Sequence, residues 1–285
     1  MRVRVLVAAL IAIVLVVLAG AAVFAYSTGQ TAAQHAAAQQ QLESVRQRNN
    51  AVRDSLTDPG LQAEFRNINS LQEARTAMGD YRAKLGGAIK TVENKLAELR
   101  QERDRLRAAS RNPLLFTNRQ ERDRDRTRVE AATDAFESAE QFLTIADNHA
   151  KISNAILAAL LEIDNINAYV DAHDVSGAAA LVPQLKQQLQ STATAAQGVN
   201  SPPPMRALID ALSRFATDME QALAALQSND NAALARLEPG FRADVDAVNK
   251  AFDAQAINAA IHQQLDPYRV RYQAEMQKAG FTTTV

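Results

Sequence analysis

Apolar residues recur along most of this chain at alternating steps of three and four, the spacing that places side chains on one face of an α-helix. The first predicted helix covers residues 30–57 and the second begins at Leu61. The second is expected to stop at Asn112-Pro113, because proline disfavours helical backbone in the residue before it. On the third helix, a seven-residue repeat runs through Val129, Phe136, Leu143, Ala150 and Leu157.

The third predicted helix also carries a second apolar stripe. Its members are Ile152, Ile156, Ala159, Ile163, Ile166 and Val170. A helix with two apolar stripes must be buried on two sides, so a two-stranded coiled coil cannot cover it. The C-terminal third is the expected partner, in shorter helices that we predict to be separated at Pro183, at Pro202–Pro204, at Pro239 and at Pro267.

Composition agrees with helix throughout, since good helix formers dominate and there is no cysteine or tryptophan. The predicted fold class is therefore all-α: an elongated antiparallel helical bundle or coiled-coil hairpin that follows an N-terminal transmembrane or signal helix. Three segments are predicted: residues 1–28 as anchor or signal peptide, residues 29–174 as the long hairpin, and residues 175–285 as a bundle of shorter helices that packs on the third helix.

The N-terminal sequence predicts a membrane-spanning or signal segment. Two arginines precede an uncharged, mostly aliphatic stretch from Val5 to Tyr26, and about 20 apolar residues span a bilayer as a helix. The arginines favour a cytoplasmic N-terminus, with residues 30–285 on the other side. A signal peptide cleaved near Ala25 is the alternative, because small residues flank that position. The predicted location is thus the cell membrane as a single-pass protein, or a secreted or periplasmic location after cleavage.

Helix lengths raise a question of geometry. The first helix would rise about 40 Å from the membrane, whereas an unbroken second helix would descend about 75 Å. The end of a straight, upright hairpin would then enter the bilayer. We therefore expect a hinge at Gly29; the alternatives are a break in the second helix at Gly86 and Gly87, or a rod that lies along the membrane surface.

Sequence motifs of catalysis and of cofactor binding are missing. The four histidines lie far apart, and the nearest approach to a metal cluster is Asp171, His173 and Asp174. Asp174 is more simply read as the cap of the next helix. No nucleophile elbow, phosphate-binding loop or dinucleotide fingerprint is present, and the lack of cysteine excludes thiolate chemistry and disulfides. We predict that the protein is not an enzyme and has no cofactor or metal.

Between Leu99 and Val129, ten arginines and five acidic residues surround the short apolar sequence Pro113-Leu114-Leu115-Phe116. This segment carries a net charge of +5 in a chain of net charge −1, and it joins the second and third helices. One interpretation is a solvated turn with helix-surface pairs such as Arg119–Asp123 and Glu121–Arg124. The other is a contact tip for anionic lipid headgroups or an acidic envelope partner. The candidate contact residues are Arg103, Arg107, Arg111, Leu114, Leu115, Phe116, Arg119 and Arg122. Nucleic acid is not an expected partner, because no aromatic stacking platform or groove-reading motif is present.

Two smaller features have open interpretations. Asn49 occupies a core position of the first helix, where it could fix register or oligomeric state, or mark a helix that is only partly covered. The tail Thr283-Thr284-Val285 resembles the free C-terminus that a PDZ domain captures by strand addition.

These patterns favour a non-enzymatic, membrane-anchored extracytoplasmic scaffold or interaction protein of a bacterial-type cell envelope. Its expected partners are the membrane, through the N-terminal helix, and another protein or a second copy, through helical faces. The alternative is an extracytoplasmic helical sensor or ligand-binding domain that acts through a separate partner protein. In architecture alone the chain resembles the outer domain of chemoreceptors, but it lacks a second membrane span and a cytoplasmic transmitter.

Overall fold

The computed structural model describes residues 2–57 and 70–281, with side chains from residue 21 onward. All regular structure in this part is helical, which confirms the all-α prediction. The helices are α1 (Arg2–Thr57), α2 (Leu71–Ser110), α3 (Arg119–Asp171), α4 (Val175–Gly198), α5 (Pro203–Gln227), α6 (Asn231–Ala251) and α7 (Ala254–Lys278).

Several predictions fall outside the described residues. The start of the second helix at Leu61 and the tail Thr283-Thr284-Val285 lie there, as do the side chains of residues 1–20, which form most of the predicted membrane segment. Where side chains are described, no helix combines the length and apolar character needed to cross a bilayer.

The described residues fall into two compact units. Unit 1 contains residues 1–53, 90–140 and 270–285, and unit 2 contains residues 54–89 and 141–269. These groupings differ from the boundaries expected from sequence, because α3 supplies residues to each unit. The division at residues 28 and 174 remains a prediction.

Unit 1 brings together parts of four helices. Ser27 of α1 contacts Thr117, just before α3, and His35 of α1 contacts Asp125 of α3. Both pairs are 90 residues apart in sequence, so the two helices run parallel. The α2–α3 pairs Arg107–Glu130 and Arg100–Glu137 run in opposite directions. The C-terminal part of α7 is antiparallel to α3, as the Tyr272–Phe136 ring contact and the Arg128 bond to the Ala279 carbonyl show. The apolar interior includes Leu42, Val45, Val92, Leu96, Leu99, Leu106, Val129, Phe136 and Met276.

A buried hydrogen bond fixes the register of α1 and α7 in unit 1. The Tyr272 hydroxyl donates to Oδ1 of Asn49 at 2.6 Å, and both side chains are buried. Asn49 therefore does not mark an uncovered helix; its polar group is satisfied inside the bundle. Burial also raises the pKa of the Tyr272 hydroxyl, which keeps it a donor.

Unit 1 also buries a lysine. Lys95 of α2 is fully inaccessible, and its Nζ donates to Gln41 at 2.5 Å, to Ser44 and to Glu98 at 3.1 Å. Burial lowers the pKa of the Lys95 amine, and the nearby Glu98 carboxylate opposes that shift. The lysine therefore ties α2 to α1 through side-chain amide and hydroxyl groups.

In unit 2 the second apolar stripe of α3 lies in the core. Ile152, Ile156 and Ile166 pack with residues of α4 and α5 in one buried cluster. The α6 helix packs on α5 through the rings of Phe215 and Phe241, whose centroids are 5.0 Å apart. Val170, the last member of the predicted stripe, is partly buried against this cluster.

Aspartate side chains cap the N-termini of α4, α6 and α7 in unit 2. Asp174 accepts from the Gly177 amide at 2.8 Å and Asp230 from the Ala233 amide at 2.9 Å, so the capping interpretation of Asp174 is confirmed. Asp253 caps α7 in the same way, through the Ala256 amide at 2.9 Å. His173 supplies the left-handed residue before the α4 cap, with φ of 64°.

The predicted helix breaks at three prolines are wrong. Pro183, Pro239 and Pro267 lie inside α4, α6 and α7. A proline removes one backbone hydrogen bond of a helix, and here packing of the flanking turns keeps the helix continuous. Of these four predicted breaks, only the one at Pro202–Pro204 separates helices, with Pro203 in the first turn of α5, where proline is well tolerated.

We expect Tyr272→Phe to lower the free energy of unfolding by about 1–3 kcal/mol, because it leaves the buried Asn49 carbonyl without a donor. Urea denaturation followed by circular dichroism measures this change. The double variant Asn49→Leu/Tyr272→Phe should lose less than the sum of the single variants, since neither polar group is then left unpaired. Additive losses would show that the two side chains do not depend on each other.

Candidate functional site at the arginine-rich turn

The arginine-rich segment forms the end of α2, the turn over residues 111–118 and the start of α3. The turn is held locally, because Asn112 Oδ1 accepts from the Leu114 amide at 3.0 Å and its carbonyl accepts from the Leu115 amide at 3.1 Å. Asn118 adopts a left-handed conformation with φ of 49°, and its carbonyl accepts the first helical bond, from the Arg122 amide. The predicted stop before Pro113 is confirmed, since α2 ends at Ser110.

The turn packs against α1 just beyond the apolar N-terminal stretch. Ser27 Oγ lies 2.8 Å from Thr117 Oγ1 and accepts from the Thr117 amide at 3.2 Å. Thr31 Oγ1 lies 3.2 Å from the same hydroxyl. The rings of Phe24 and Phe116 pack with centroids 6.3 Å apart. These contacts place the turn beside residues 24–31 of α1.

Large apolar side chains are exposed at this end of unit 1. Leu114 and Phe116 of the turn are 49% and 50% exposed, and Phe24 and Tyr26 of α1 are 55% and 51% exposed. Val23 adds a further exposed side chain. We call these five residues the apolar tip. Contiguous exposed apolar side chains are uncommon on monomeric soluble proteins and are typical of interaction surfaces.

Several arginines of the segment are paired with acids. Arg107 lies 2.8 Å from Glu130, Arg103 lies 3.2 Å from Asp104, and Arg100 lies 3.1 Å from Glu137. For Arg111 and Arg119, no ion-pair partner is found among residues 21–57 and 70–281, and the two guanidinium groups are exposed. Arg124 of α3 is likewise exposed and is in no ion pair within this part of the chain, so the available positive charge lies on the turn and on the start of α3.

The expected surface pairs Arg119–Asp123 and Glu121–Arg124 do not occur among the described ion pairs. Asp123 pairs instead with Arg126, at 3.7 Å. Glu121 lies 3.5 Å from Nε2 of His35 on α1. Glu121 therefore pairs with His35 of α1, a residue that the spacing within α3 could not predict.

Two of the eight predicted contact residues are buried. Leu115 closes the apolar interior. Arg122 is only 5% exposed, and its Nε and Nη1 have no hydrogen-bond partner within the described part of the chain. Because α1 covers this side of α3, these residues cannot contact an outside partner, and the prediction that they belong to the tip is wrong. Arg103, Arg107, Arg111, Leu114, Phe116 and Arg119 remain accessible.

A histidine–carboxylate pair lies about two and a half helical turns along α1 from Tyr26 of the apolar tip. His35 Nδ1 is 2.6 Å from Oδ2 of Asp125, and Gln39 donates to Oδ1 of that carboxylate at 3.0 Å. Asp125 is buried. The hydrogen bond to Asp125 raises the pKa of His35; burial and Arg128 oppose the shift, and Glu121 supports it.

Neither predicted hinge interrupts a helix. α1 continues through Gly29, and α2 continues through Gly86 and Gly87. A Cβ added at any of the three would meet no atom within 4 Å, so no close packing requires glycine there. The hinge role remains a prediction, without a break of the helix.

No group of histidine, cysteine, aspartate and glutamate side chains suited to a metal ion occurs in the described residues. Sequence reasoning missed a buried polar group in unit 2 that lines a cavity, His149. It was passed over because its partner, Gln264, is 115 residues away.

Comparison with known proteins gives no relative from which a function could be transferred. No protein-family model matches the chain, and searches of curated proteins and of solved structures also return no match.

We expect the pKa of His35 to lie above the ordinary value of about 6.5, because the imidazolium is held by Asp125. A raised folded-state pKa means that the stabilisation is fully present below about pH 6.5 and is lost as the pH rises through the folded-state value. NMR titration of the ring protons, assigned with His35→Gln, measures the midpoint. In Asp125→Asn the midpoint should fall, and a wild-type midpoint at or below 6.5 would contradict the assignment.

Proposed function

We propose that this protein is a membrane-anchored, non-enzymatic helical scaffold on the extracytoplasmic side of a bacterial-type envelope, with its arginine-rich turn seated on the bilayer surface. The N-terminal apolar stretch serves as the anchor, and Arg2 and Arg4 keep the N-terminus in the cytoplasm. The exported residues form an elongated antiparallel bundle whose helical faces contact a protein partner or a second copy.

The observation that carries this proposal is the position of the turn relative to the anchor. Residues 23–26 end the apolar stretch, and the turn packs directly beside them through Phe24 and Ser27. When residues 5–22 lie in the bilayer, the apolar tip lies at the boundary between acyl chains and headgroups. Tyrosine, present in the tip as Tyr26, is enriched at that depth.

The charge of the turn suits the same location. Arg111 and Arg119 are exposed beside Leu114 and Phe116, so each arginine can reach lipid phosphates while its neighbours enter the apolar boundary. A basic residue near an anionic surface contributes about 1 kcal/mol. Membrane contact also explains why apolar side chains are exposed next to arginines, which a solvated turn does not.

This geometry removes the conflict in helix lengths. α2 and α3 meet at the level of residues 24–31, so the turn reaches the membrane surface without entering the acyl region. A sharp bend at Gly29 is then unnecessary.

A second candidate function is a sensor or ligand-binding bundle that acts through a separate partner protein. A cavity in unit 2, lined by Phe142, His149 and Leu265 among others, favours it. Crosslinking with mass spectrometry in native membranes separates the two functions: links to structural envelope proteins or to itself support the scaffold, and links to a receptor or kinase support the sensor.

The seated turn predicts shallow membrane contact at Leu114. The chain contains no cysteine, so Leu114→Cys gives a single site for a nitroxide label in full-length protein reconstituted into vesicles with anionic lipid. We expect the label to be more accessible to oxygen and less accessible to a water-soluble nickel complex than a label at Leu226→Cys, which is exposed in unit 2. Equal accessibility at the two positions would overturn the seated turn.

If the arginines of the turn bind anionic headgroups, membrane contact at Leu114 should depend on their charge. The Arg111→Gln/Arg119→Gln variant should make the Leu114 label more accessible to water in anionic vesicles. The matched control, Arg206→Gln/Arg236→Gln, removes the same charge from exposed positions of unit 2 and should leave the label unchanged. An identical response of both variants would mean that net charge alone is responsible.

Retention of the anchor predicts an intact N-terminus on protein extracted from membranes. A chain that starts near Tyr26 would instead show a cleaved signal peptide, and the seated turn would then have no anchor beside it. N-terminal sequencing of the extracted protein decides between these outcomes.

A further inference from the structure

Unit 2 contains a cavity of about 340 Å³ whose lining residues all belong to that unit. The wall exposes more apolar than polar surface, with Leu56, Met78, Phe142, Ile261 and Leu265 as its largest apolar side chains, and Tyr81, Ser153, Asp266 and Arg269 add partly buried polar groups. Cavities of this size with an apolar wall and a few polar groups are typical of small-molecule sites. The lining residues Asn258 and His262 are exposed, so the cavity reaches the surface on the α7 side.

One buried polar side chain, His149 of α3, lines this cavity. His149 is 2% exposed, and its Nε2 lies 2.8 Å from Oε1 of Gln264. Gln264 in turn donates from Nε2 to the Asn200 carbonyl at 3.1 Å. The Asn200 carbonyl can only accept, so it fixes the orientation of the Gln264 amide. Gln264 Oε1 must therefore face His149.

This chain of bonds fixes the tautomer of the imidazole. Because Gln264 Oε1 can only accept, the proton of His149 lies on Nε2. Nδ1 then carries a bare lone pair, and no hydrogen-bond partner for it exists in the described residues. Burial lowers the pKa of His149, with the bond to Gln264 opposing, so the ring stays neutral at physiological pH. A buried acceptor without a donor costs about 1–3 kcal/mol.

We propose that this cavity binds a small, uncharged, largely apolar molecule that carries one hydroxyl or N–H group, which donates to Nδ1 of His149. The apolar part of the wall buries the body of such a molecule, and Nδ1 of His149 fixes its orientation as the unpaired acceptor of the fully buried lining side chain, whereas the polar lining residues Asn258 and His262 lie at exposed positions. Anions find no positive charge at His149, and the nearby Arg269 is already paired with Asp266 at 2.9 Å. The site is independent of the arginine-rich turn, whose residues belong to unit 1.

A matched pair of probes tests the ligand class. 2-Naphthol carries the hydroxyl donor, and 2-methylnaphthalene has nearly the same shape without it. Binding is measured by isothermal titration calorimetry on the full-length chain in one detergent. We expect 2-naphthol to bind about tenfold more tightly than 2-methylnaphthalene, as one hydrogen bond to a buried acceptor provides.

Two variants test the site. His149→Gln retains a side-chain donor for Gln264 but has no group at the position of Nδ1, so the preference for 2-naphthol should fall to about twofold or less while 2-methylnaphthalene still binds. Ala146→Leu places a larger side chain in the cavity wall and should abolish saturable binding of both probes. The signal that this variant retains measures partition of the probes into detergent.

The tautomer has its own readout, because ¹⁵N NMR distinguishes protonated from bare imidazole nitrogens. We expect the Nε2–H form for His149 in the free protein. Three outcomes overturn the proposal: a proton on Nδ1, a 2-naphthol preference that survives in His149→Gln, or no saturable binding of either probe to the wild-type chain. The last result would mean that the cavity holds water only.

Discussion

Burial of α3 on more than one side is the constraint on which the rest of the structure depends. Its N-terminal half supplies Val129 and Phe136 to the core of unit 1, and its C-terminal half supplies Ile156 and Ile166 to the core of unit 2. A helix of 53 residues with apolar side chains on two faces must be covered by other helices on both faces. α1, α2 and α7 contribute to that cover in unit 1, and α4 and α5 do so in unit 2.

Periodicity was sufficient to predict the helices and the buried stripe of α3, because both depend on local spacing. The Asp174 cap and the end of α2 before Pro113 were also predictable, since each is decided within a few residues. Prolines were misleading: Pro183 and Pro239 lie within continuous helices, where tertiary packing outweighs the loss of one backbone hydrogen bond.

The candidate site was predicted only in outline, because its decisive contacts join residues far apart in sequence. The spacing of the arginines indicated a turn, but not that Arg122 and Leu115 face inward under α1. The pairing of His35 with Asp125 spans 90 residues, and that of Tyr272 with Asn49 spans 223. No local pattern specifies such partners. The contact between Phe24 and Phe116 likewise depends on how α1 packs against the turn, so local sequence does not predict it.

The composition of unit 1 has a consequence for the order in which the chain can fold. Its interior is completed by residues 270–281, which lie far along the chain from residues 90–140. Until that segment has been synthesised, the Asn49 carbonyl lacks its donor and the Phe136 ring lacks the cover of Tyr272. A chain emerging from the ribosome therefore keeps this part of the bundle open. Proteases can recognise an interrupted chain by that opening.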